Sequence, residues 1–406
     1  MRTFWMVGMG VLAWAGPALA TDWPQFLGPT HDGVTTEVGL TEGIGRGPHE
    51  LWRKPLGKAY SGIAVADGVL YTSALEADGE WLVAMGAANG AERWRLRLGA
   101  APENAGYPGP RATPTVAGDV VVALSSGGML HAVGRTDGKA RWSVDLVTSL
   151  GGVPPTWGYS ASPYVADGKI YLAVGGAQAG LVALNLRDGA VVWRHPGFQA
   201  AYATPIPAEL GGVPQVVFFA AEGVVGLRPT DGGLVWQYPW TTNYAVNAST
   251  PVVIGGDRLF VGSGYGVGGS ALLVSAPGAV ELWRSKSMKT KTTTAVVYDG
   301  HLYGFNEDQL SCVSVRDGAP CWSASGYGRG SLLLAGDKLI VLDEQCRLGV
   351  VAADPSALRV IAQPKAVLTH GPCWTAPSVS DGVLYARDLA EVVALELRGY
   401  GPSAAP

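Results

Sequence analysis

The chain has 406 residues, of which 48% are hydrophobic and 15% are charged, and its formal net charge is −4. Acidic and basic residues are interspersed, so the sequence has no basic stripe for a polyanion and excludes nucleic acid as the expected partner. Beyond the first twenty residues no apolar run approaches the ~20 residues that a membrane helix needs, so no membrane span is predicted.

The N-terminus predicts a signal peptide. Arg2 supplies a positive charge, residues 4–14 form an apolar stretch, and residues 18–20 (Ala-Leu-Ala) form a small-residue cleavage site. We therefore expect cleavage near Ala20 and a periplasmic or secreted mature chain, with a retained N-terminal anchor as the alternative. The predicted organisation is a signal peptide at 1–20, an N-terminal extension at 21–49, a repeat domain at 50–398 and a C-terminal tail at 399–406.

Eight short β-branched or aromatic runs each follow a turn of the Asp-Gly type, at intervals of 37 to 51 residues. The turns begin at Asp67, Gly118, Asp167, Gly211, Gly256, Asp299, Gly336 and Asp381. A period of this length that consists only of strand and turn signals predicts a β-propeller. The 58 glycines fit a fold with many tight turns and little helix.

Each repeat predicts four strands. The first repeat places them at 62–65, 69–73, 81–85 and 92–96, with an Asn-Gly hairpin turn before the fourth. A tryptophan recurs in the fourth strand, at Trp94, Trp142, Trp193, Trp236, Trp283 and Trp322, and Trp52 precedes the first repeat. The first strand of most repeats is small and carries Pro near its start, which marks it as the crowded innermost strand.

The last repeat is incomplete. Its third strand lies near 392–397, and no fourth strand follows, whereas residues 50–54 form a strand that no repeat contains. Pairing the two would close the ring and remove two exposed sheet edges. The prediction is an all-β, eight-bladed β-propeller of four-stranded antiparallel blades, closed by the N-terminal strand.

The repeat pattern resembles that of the PQQ-like, or quinoprotein dehydrogenase-like, eight-bladed propellers. Residues 22–29 (Asp-Trp-Pro-Gln-Phe-Leu-Gly-Pro), 107–111 (Tyr-Pro-Gly-Pro-Arg) and 157–160 (Trp-Gly-Tyr-Ser) resemble secreted PQQ-binding-like repeat proteins. The resemblance implies the propeller fold and two kinds of function. One is the non-enzymatic scaffold role of BamB-like proteins, and the other is a quinoprotein oxidoreductase that uses pyrroloquinoline quinone (PQQ) and calcium. The chain lacks the adjacent cysteines of many such dehydrogenases.

Strand order decides which candidate residues share a face. We call the face at which the chain enters the innermost strands the near face, and the face of the Asp-Gly turns the far face. Aromatic, charged and amide residues collect on the near face and predict a ligand or peptide site around the channel mouth. They are Tyr107, Arg111, Trp157, Tyr159, Tyr202, Asn247, Tyr265, Lys291, Arg329, Trp374, Arg387 and Asp388. The alternative for each residue is a structural role, in which the aromatic residues pack between blades and the charged residues are solvated in loops.

The four cysteines predict two disulfides, because export places them in an oxidising compartment. Cys312 and Cys321 fall on adjacent strands, and Cys346 and Cys373 fall in near-face loops of neighbouring blades. Four free thiols are the alternative. The six histidines are scattered, and the sequence predicts no metal ligand set and no catalytic residue.

The sequence therefore predicts an exported, monomeric, non-enzymatic propeller that binds a protein or small ligand at the cell envelope through its near face, with no cofactor. The alternative is a PQQ-dependent oxidoreductase, and a hydrolase that uses near-face carboxylates is a third option. Quinone absorbance of the purified protein distinguishes the first two.

Overall fold

The computed structural model describes residues 21–100 and 109–398, which form eight antiparallel sheets arranged as a ring. This confirms the predicted all-β, eight-bladed propeller. The predicted signal peptide, the tail at 399–406 and Tyr107 lie outside the described residues.

The strands before and within the first four blades are β1 (Val34–Thr35), β2 (His49–Pro55), β3 (Ala64–Ala66), β4 (Val69–Glu76), β5 (Gly79–Gly86), β6 (Glu92–Gly99), β7 (Thr115–Ala117), β8 (Val120–Leu124), β9 (Met129–Gly134), β10 (Ala140–Asp145), β11 (Tyr164–Ala166), β12 (Lys169–Gly175), β13 (Gly180–Asn185), β14 (Val191–His195), β15 (Ile206–Leu210), β16 (Val213–Phe219), β17 (Gly223–Leu227) and β18 (Leu234–Pro239). Those of the last four blades are β19 (Val252–Val253), β20 (Arg258–Ser263), β21 (Gly268–Ser275), β22 (Gly278–Ser285), β23 (Val296–Tyr298), β24 (His301–Asn306), β25 (Gln309–Ser314), β26 (Pro320–Ala324), β27 (Ser331–Ala335), β28 (Lys338–Leu342), β29 (Arg347–Ala352), β30 (Val360–Ala366), β31 (Ser378–Ser380), β32 (Val383–Arg387) and β33 (Glu391–Glu396).

Blades 1 to 7 take four consecutive strands each, from β3 to β30, and blade 8 takes β31, β32, β33 and β2. Buried aliphatic residues of the central strands pack between neighbouring blades. Helical structure in the described residues is limited to α1 (Thr41–Arg46), α2 (Leu146–Leu150) and a 3-10 turn at Asn243–Ala245.

The ring closes as the sequence predicts. Strand β2 pairs with β33 in antiparallel register from His49 opposite Glu396 to Pro55 opposite Glu391. Across the same junction, the Ser378 hydroxyl of blade 8 donates to the carbonyl oxygen of Ile63 in blade 1 at 2.6 Å. The N-terminal strand is therefore the outer strand of the last blade.

Hydrogen bonds link the innermost strands at the near face. The N–H of Gly62 donates to Oγ1 of Thr113 at 3.1 Å, and the N–H of Thr113 donates to Oγ of Ser162 at 3.0 Å. The N–H of Ser162 donates in turn to Oγ1 of Thr204 at 3.0 Å. The small hydroxyl residues before the inner prolines thus connect blades 1 to 4 in sequence, in addition to relieving crowding at the axis.

The outer-strand tryptophans join neighbouring blades toward the far face. The Trp94 indole donates to the carbonyl oxygen of Arg135 in the next blade at 2.9 Å. The same bond recurs from Trp52 to Ala87, Trp142 to Leu186, Trp193 to Pro229, Trp283 to Val315 and Trp322 to Asp354. Trp236 instead bonds Gln215 of its own blade, and the following blade 5 has Ala276-Pro277-Gly278 where blades 1 to 4 and 6 have Asp-Gly or Asn-Gly.

One predicted disulfide forms and the other does not. Cys346 and Cys373 are bonded, with their Cα atoms 5.1 Å apart. Cys312 and Cys321 are free thiols, which corrects the prediction of a second disulfide. The reason is a β-bulge in β26 that places Trp322, rather than Cys321, opposite Cys312.

Residues 22–37 form an axial segment that runs along the innermost strands. The N–H and carbonyl of Trp23 exchange hydrogen bonds with those of Val65 in blade 1 at 2.9 and 2.8 Å. The Pro24 carbonyl accepts the N–H of Val116 in blade 2 at 2.8 Å. The His31 ring makes an edge contact with Tyr164 of blade 3, with ring centroids 5.0 Å apart.

The axial segment continues to the opposite side of the ring. Strand β1 pairs in parallel with β27 of blade 7 on its axial edge. Glu37 then accepts the N–H of Gly382 at 2.6 Å and an N–H of Arg398 at 2.8 Å in blade 8. Because this segment contacts inner strands of opposite blades, it fills the axis on the far-face side and leaves a cavity open at the near face.

Candidate functional site

The main cavity of the described residues lies on the axis at the near face and encloses about 260 Å³. Every blade contributes to it through the segment that enters its innermost strand. The lining residues are Phe26, Leu27, Tyr60, Gly62, Arg111, Thr113, Trp157, Ser160, Ser162, Tyr202, Thr204, Val246, Ala248, Tyr265, Lys291, Thr292, Thr293, Thr294, Arg329, Ser331, Leu332, Trp374 and Ala376. We call this cavity the axial pocket.

Aromatic side chains form two parts of its wall. Trp157 and Tyr202 have ring centroids 5.8 Å apart, and the Trp157 N–H lies 3.4 Å from the Tyr202 hydroxyl. Tyr60 and Trp374, from blades 1 and 8, stack with centroids 5.5 Å apart. These surfaces suit an apolar or flat group.

Three cations enter the axial pocket from blades 2, 6 and 7. Arg111 donates to the Trp157 carbonyl oxygen at 2.5 Å, which ties the entry of blade 2 to that of blade 3. Lys291 Nζ lies 4.2 Å from the Tyr265 ring centroid, a cation–π contact. Arg329 lies beside Glu344, whose carboxylate accepts the backbone N–H of Arg329 at 3.3 Å.

A buried carboxylate supports this wall from behind. Glu80 is fully buried and accepts the N–H and the hydroxyl of Ser126 at 2.8 and 2.6 Å. Ser126 in turn accepts the N–H of Tyr159 at 2.9 Å through its carbonyl. Burial raises the pKa of Glu80 and lowers the pKa of Arg111, because desolvation disfavours both charged forms.

The structure brings seven predicted site residues together in the axial pocket, namely Arg111, Trp157, Tyr202, Tyr265, Lys291, Arg329 and Trp374. Four other predicted residues are buried outside its lining. Tyr159 donates to the Val174 carbonyl at 2.7 Å, and Asn247 donates to the Ala220 carbonyl at 2.8 Å.

Arg387 and Asp388 are the other two buried residues. Arg387 donates to the carbonyl oxygens of Ser73 at 2.6 Å and Gly57 at 2.8 Å, which joins blade 8 to blade 1. Its burial lowers its pKa to about 10. Asp388 accepts backbone N–H groups of its own loop and of His370, the latter at 2.7 Å. Both stabilise the ring rather than line the axial pocket.

Sequence reasoning missed part of the pocket. Phe26 and Leu27 of the axial segment form its floor, and no local pattern predicts that an N-terminal extension returns to the axis. Tyr60 occupies the position in blade 1 that Arg111 occupies in blade 2, because each lies about seven residues before the first hairpin turn of its blade, at Asp67 and Gly118. That equivalence in the repeat could have identified Tyr60.

One group of potential metal ligands occurs in the described part of the chain. Atoms of His370, Asp388 and Glu391 lie within 4.8 Å of one another. Their acceptors are already occupied, since Asp388 caps backbone N–H groups and Glu391 pairs with Arg53 at 2.5 Å. These residues do not line the axial pocket.

The described residues include no helix that is both long and apolar enough to cross a membrane.

Curated proteins that share one description match part of the chain. Outer membrane protein assembly factor BamB of Yersinia pestis is 27% identical over 250 residues, which is 59% of this chain and 60% of that protein. The Escherichia coli K12 protein of the same description is 31% identical over 98 residues, 23% of this chain and 24% of its own length. The chain thus matches less than two thirds of the length of these relatives.

Two solved structures show the same fold at low identity. BamB from Moraxella catarrhalis aligns with a TM-score of 0.60 and 16% identity, over 87% of this chain and 98% of that one. A quinohemoprotein alcohol dehydrogenase from Pseudomonas putida aligns with a TM-score of 0.66 and 13% identity, over 95% and 82%.

A family model described as outer membrane protein assembly factor BamB matches residues 46–196 and 79–324. Because these matches together extend over more than half of the chain, the protein belongs to this family of PQQ-like β-propellers.

Proposed function

We propose that this chain is an exported, non-enzymatic propeller that binds a partner protein at the cell envelope through its axial pocket and without a quinone. The observation that carries the proposal is the convergence of all eight blades on one pocket with aromatic and cationic walls. Aromatic residues and arginine supply most of the binding energy when they lie in desolvated pockets. The family description, an outer membrane assembly factor, supports a protein partner.

The donor set of the axial pocket does not suit the calcium ion that quinoprotein dehydrogenases use. Ca²⁺ takes oxygen ligands and favours carboxylates. Among the described lining residues none is Asp or Glu, and three are cationic. We therefore derive no redox step from this pocket.

Export is part of the proposal because a cell-envelope partner requires it. The N-terminal pattern of residues 1–20 supports it. Fractionation of the native cells followed by N-terminal sequencing of the protein tests export directly. A mature N-terminus near Thr21 in the periplasmic fraction is the expected result, and a full-length cytoplasmic chain contradicts it.

Partner capture tests the binding role of the axial pocket. Replacing Trp157 and Arg111 together by Ala should weaken pull-down of a partner from the native envelope, because both side chains lie at the pocket wall, and calorimetry should still show one cooperative transition for the variant. The control replaces Arg187 and Arg316, which lie on far-face turns with side chains 87% and 88% exposed.

Equal capture by the pocket variant and the control would overturn the proposal. Dye-linked oxidation of alcohols or sugars after addition of PQQ and calcium would replace it by the oxidoreductase.

A further inference from the structure

The charged side chains that line the axial pocket are all cationic. Arg111, Lys291 and Arg329 reach it from three blades, and the described part of its lining contains no acidic side chain. Cations that share a concave site with low-dielectric walls concentrate anions there. The pocket therefore favours a negatively charged occupant.

Arg329 has a buried donor that its surroundings leave unsatisfied. Its Nε is buried and has no hydrogen-bond partner among the described residues. The carboxylate of Glu344 is engaged elsewhere, because one oxygen accepts the Trp374 indole N–H at 2.8 Å and the other accepts the Arg329 backbone N–H at 3.3 Å. An incoming carboxylate would satisfy the guanidinium with a charge-assisted bond.

Lys291 is available on the neighbouring blade. Its ammonium lies over the Tyr265 ring, 4.2 Å from the ring centroid. An ammonium on a four-carbon stem can turn toward an anion that Arg329 orients. The two cations enter the axial pocket from adjacent blades, 6 and 7.

The opposite side and the floor are apolar. Trp157 and Tyr202 stand on blades 3 and 4, and Phe26 and Leu27 close the bottom. The volume of about 260 Å³ is near the lower end of ligand pockets, which begin at ~300 Å³. The pocket therefore holds a few side chains and not a folded domain.

We infer that the axial pocket receives a short acidic segment of a partner polypeptide. A carboxylate of the segment binds between Arg329 and Lys291, and an adjacent apolar side chain packs against Trp157 and Tyr202. This inference rests on the proposed function, since it takes the partner to be a protein.

Fluorescence anisotropy with labelled peptides tests the charge requirement. The probe is the hexapeptide Gly-Glu-Phe-Glu-Phe-Gly with an amidated C-terminus, and its matched control is Gly-Gln-Phe-Gln-Phe-Gly. We expect the acidic peptide to bind about tenfold more tightly, and the difference to shrink at high salt because the attraction is electrostatic. Equal affinity of the two peptides would overturn the inference.

Variants of the protein locate the site. Arg329→Gln and Lys291→Gln should each weaken binding of the acidic peptide by about 3- to 10-fold, since each removes one charge-assisted bond, and should leave the Gln peptide unaffected. Arg187→Gln on the far face is the control and should bind as the unmodified protein does. A loss as large in that control would show non-specific attraction and overturn the inference.

Trimesate, a free aromatic tricarboxylate, serves as a probe that distinguishes a polypeptide ligand from a small organic acid. Binding of trimesate without binding of the acidic peptide would overturn the inference that the occupant is a polypeptide segment. Failure of the peptide experiment while the Trp157 and Arg111 variant still loses its envelope partner would reject the acidic segment and leave the proposed function intact. Partner capture that is unaffected by that variant rejects the proposed function itself.

Discussion

The glycines of the far-face turns have similar backbone angles but different surroundings. Gly138 has φ +67°, and a β-carbon there would lie 2.7 Å from the Trp94 indole of the preceding blade. Gly168 has φ +70°, and a β-carbon there would meet nothing within 4 Å. The first glycine is required by a contact between blades, and the second only by its own turn.

This difference predicts unequal costs of the same substitution. Gly168→Ala should cost roughly 1–2 kcal/mol, the strain of a positive φ in an L-residue. Gly138→Ala should cost roughly 1–3 kcal/mol more, because a rigid indole must move. Urea unfolding of both variants measures the difference, and in a Trp94→Ala background the extra cost should disappear. Equal costs in the native background would contradict the contact.

Single residues were predictable where the repeat sets their surroundings. The recurrent tryptophans marked the outer strands correctly, and the hydroxyl-proline pairs marked the innermost ones. The bond partner of each tryptophan was not predictable, because it lies in the next blade. The bulge before Trp322 also shifted Cys321 out of register with Cys312, and nothing in the local sequence reveals such a shift.

At the level of elements, the axial segment changes what the ring can bind. Its residues Phe26 and Leu27 lie on the axis and line the axial pocket. Its sequence is short, irregular and rich in Pro and Gly, so neither periodicity nor turn signals predict where it packs. Its contacts are with inner strands of five blades and a turn of a sixth, all distant in sequence.

His31 makes the axial segment sensitive to acid. Burial lowers the pKa of His31 from 6.5 to about 4. The unfolded chain therefore binds a proton in a range where the folded chain does not, and stability present above pH 6.5 is lost as the pH falls toward 4. Between pH 7 and pH 5 the loss at this residue amounts to about 2 kcal/mol.

Denaturant unfolding at the two pH values, with His31→Phe as the comparison, measures this loss. The variant keeps a ring against Tyr164 but has no titrating group, so its stability should fall by about 2 kcal/mol less between pH 7 and pH 5. Other buried groups such as His131 contribute equally to the pH dependence of stability in the unmodified protein and in the variant. The same pH dependence of stability in the unmodified protein and the variant would show that the His31 pKa does not differ between the folded and unfolded states.

At the scale of the whole molecule, eight blades depend on one N-terminal strand for closure. We expect deletion of residues 21–48, which spares β2, to lower stability but to leave one cooperative transition. Deletion of residues 21–56 also removes β2, so it should abolish cooperative unfolding and expose the edge of β33. Calorimetry distinguishes the two. A 21–56 deletion that melts like the full-length protein would contradict closure by β2.

The architecture was predictable as a whole because it repeats. Eight turns and a missing strand were enough to give blade number, strand order and the site of closure. The axial pocket was predictable in outline, since strand order alone assigns the near-face loops to one mouth. Its depth and floor were not, because they depend on the one part of the chain that does not repeat.

Contacts between the N-terminal and C-terminal parts of the chain determine when the ring can close during synthesis. Glu37 bonds Gly382, and Arg53 bonds Glu391 across 338 residues of sequence. Strand β2 near the N-terminus must therefore wait for β33, the last strand to be made, before either finds its partner. Contacts this distant slow folding, and until they form, β2 and β33 both present open edges. Synthesis at a realistic rate thus gives the chain a long interval in which aggregation competes with closure, and this predicts that the chain requires a holding chaperone where it folds.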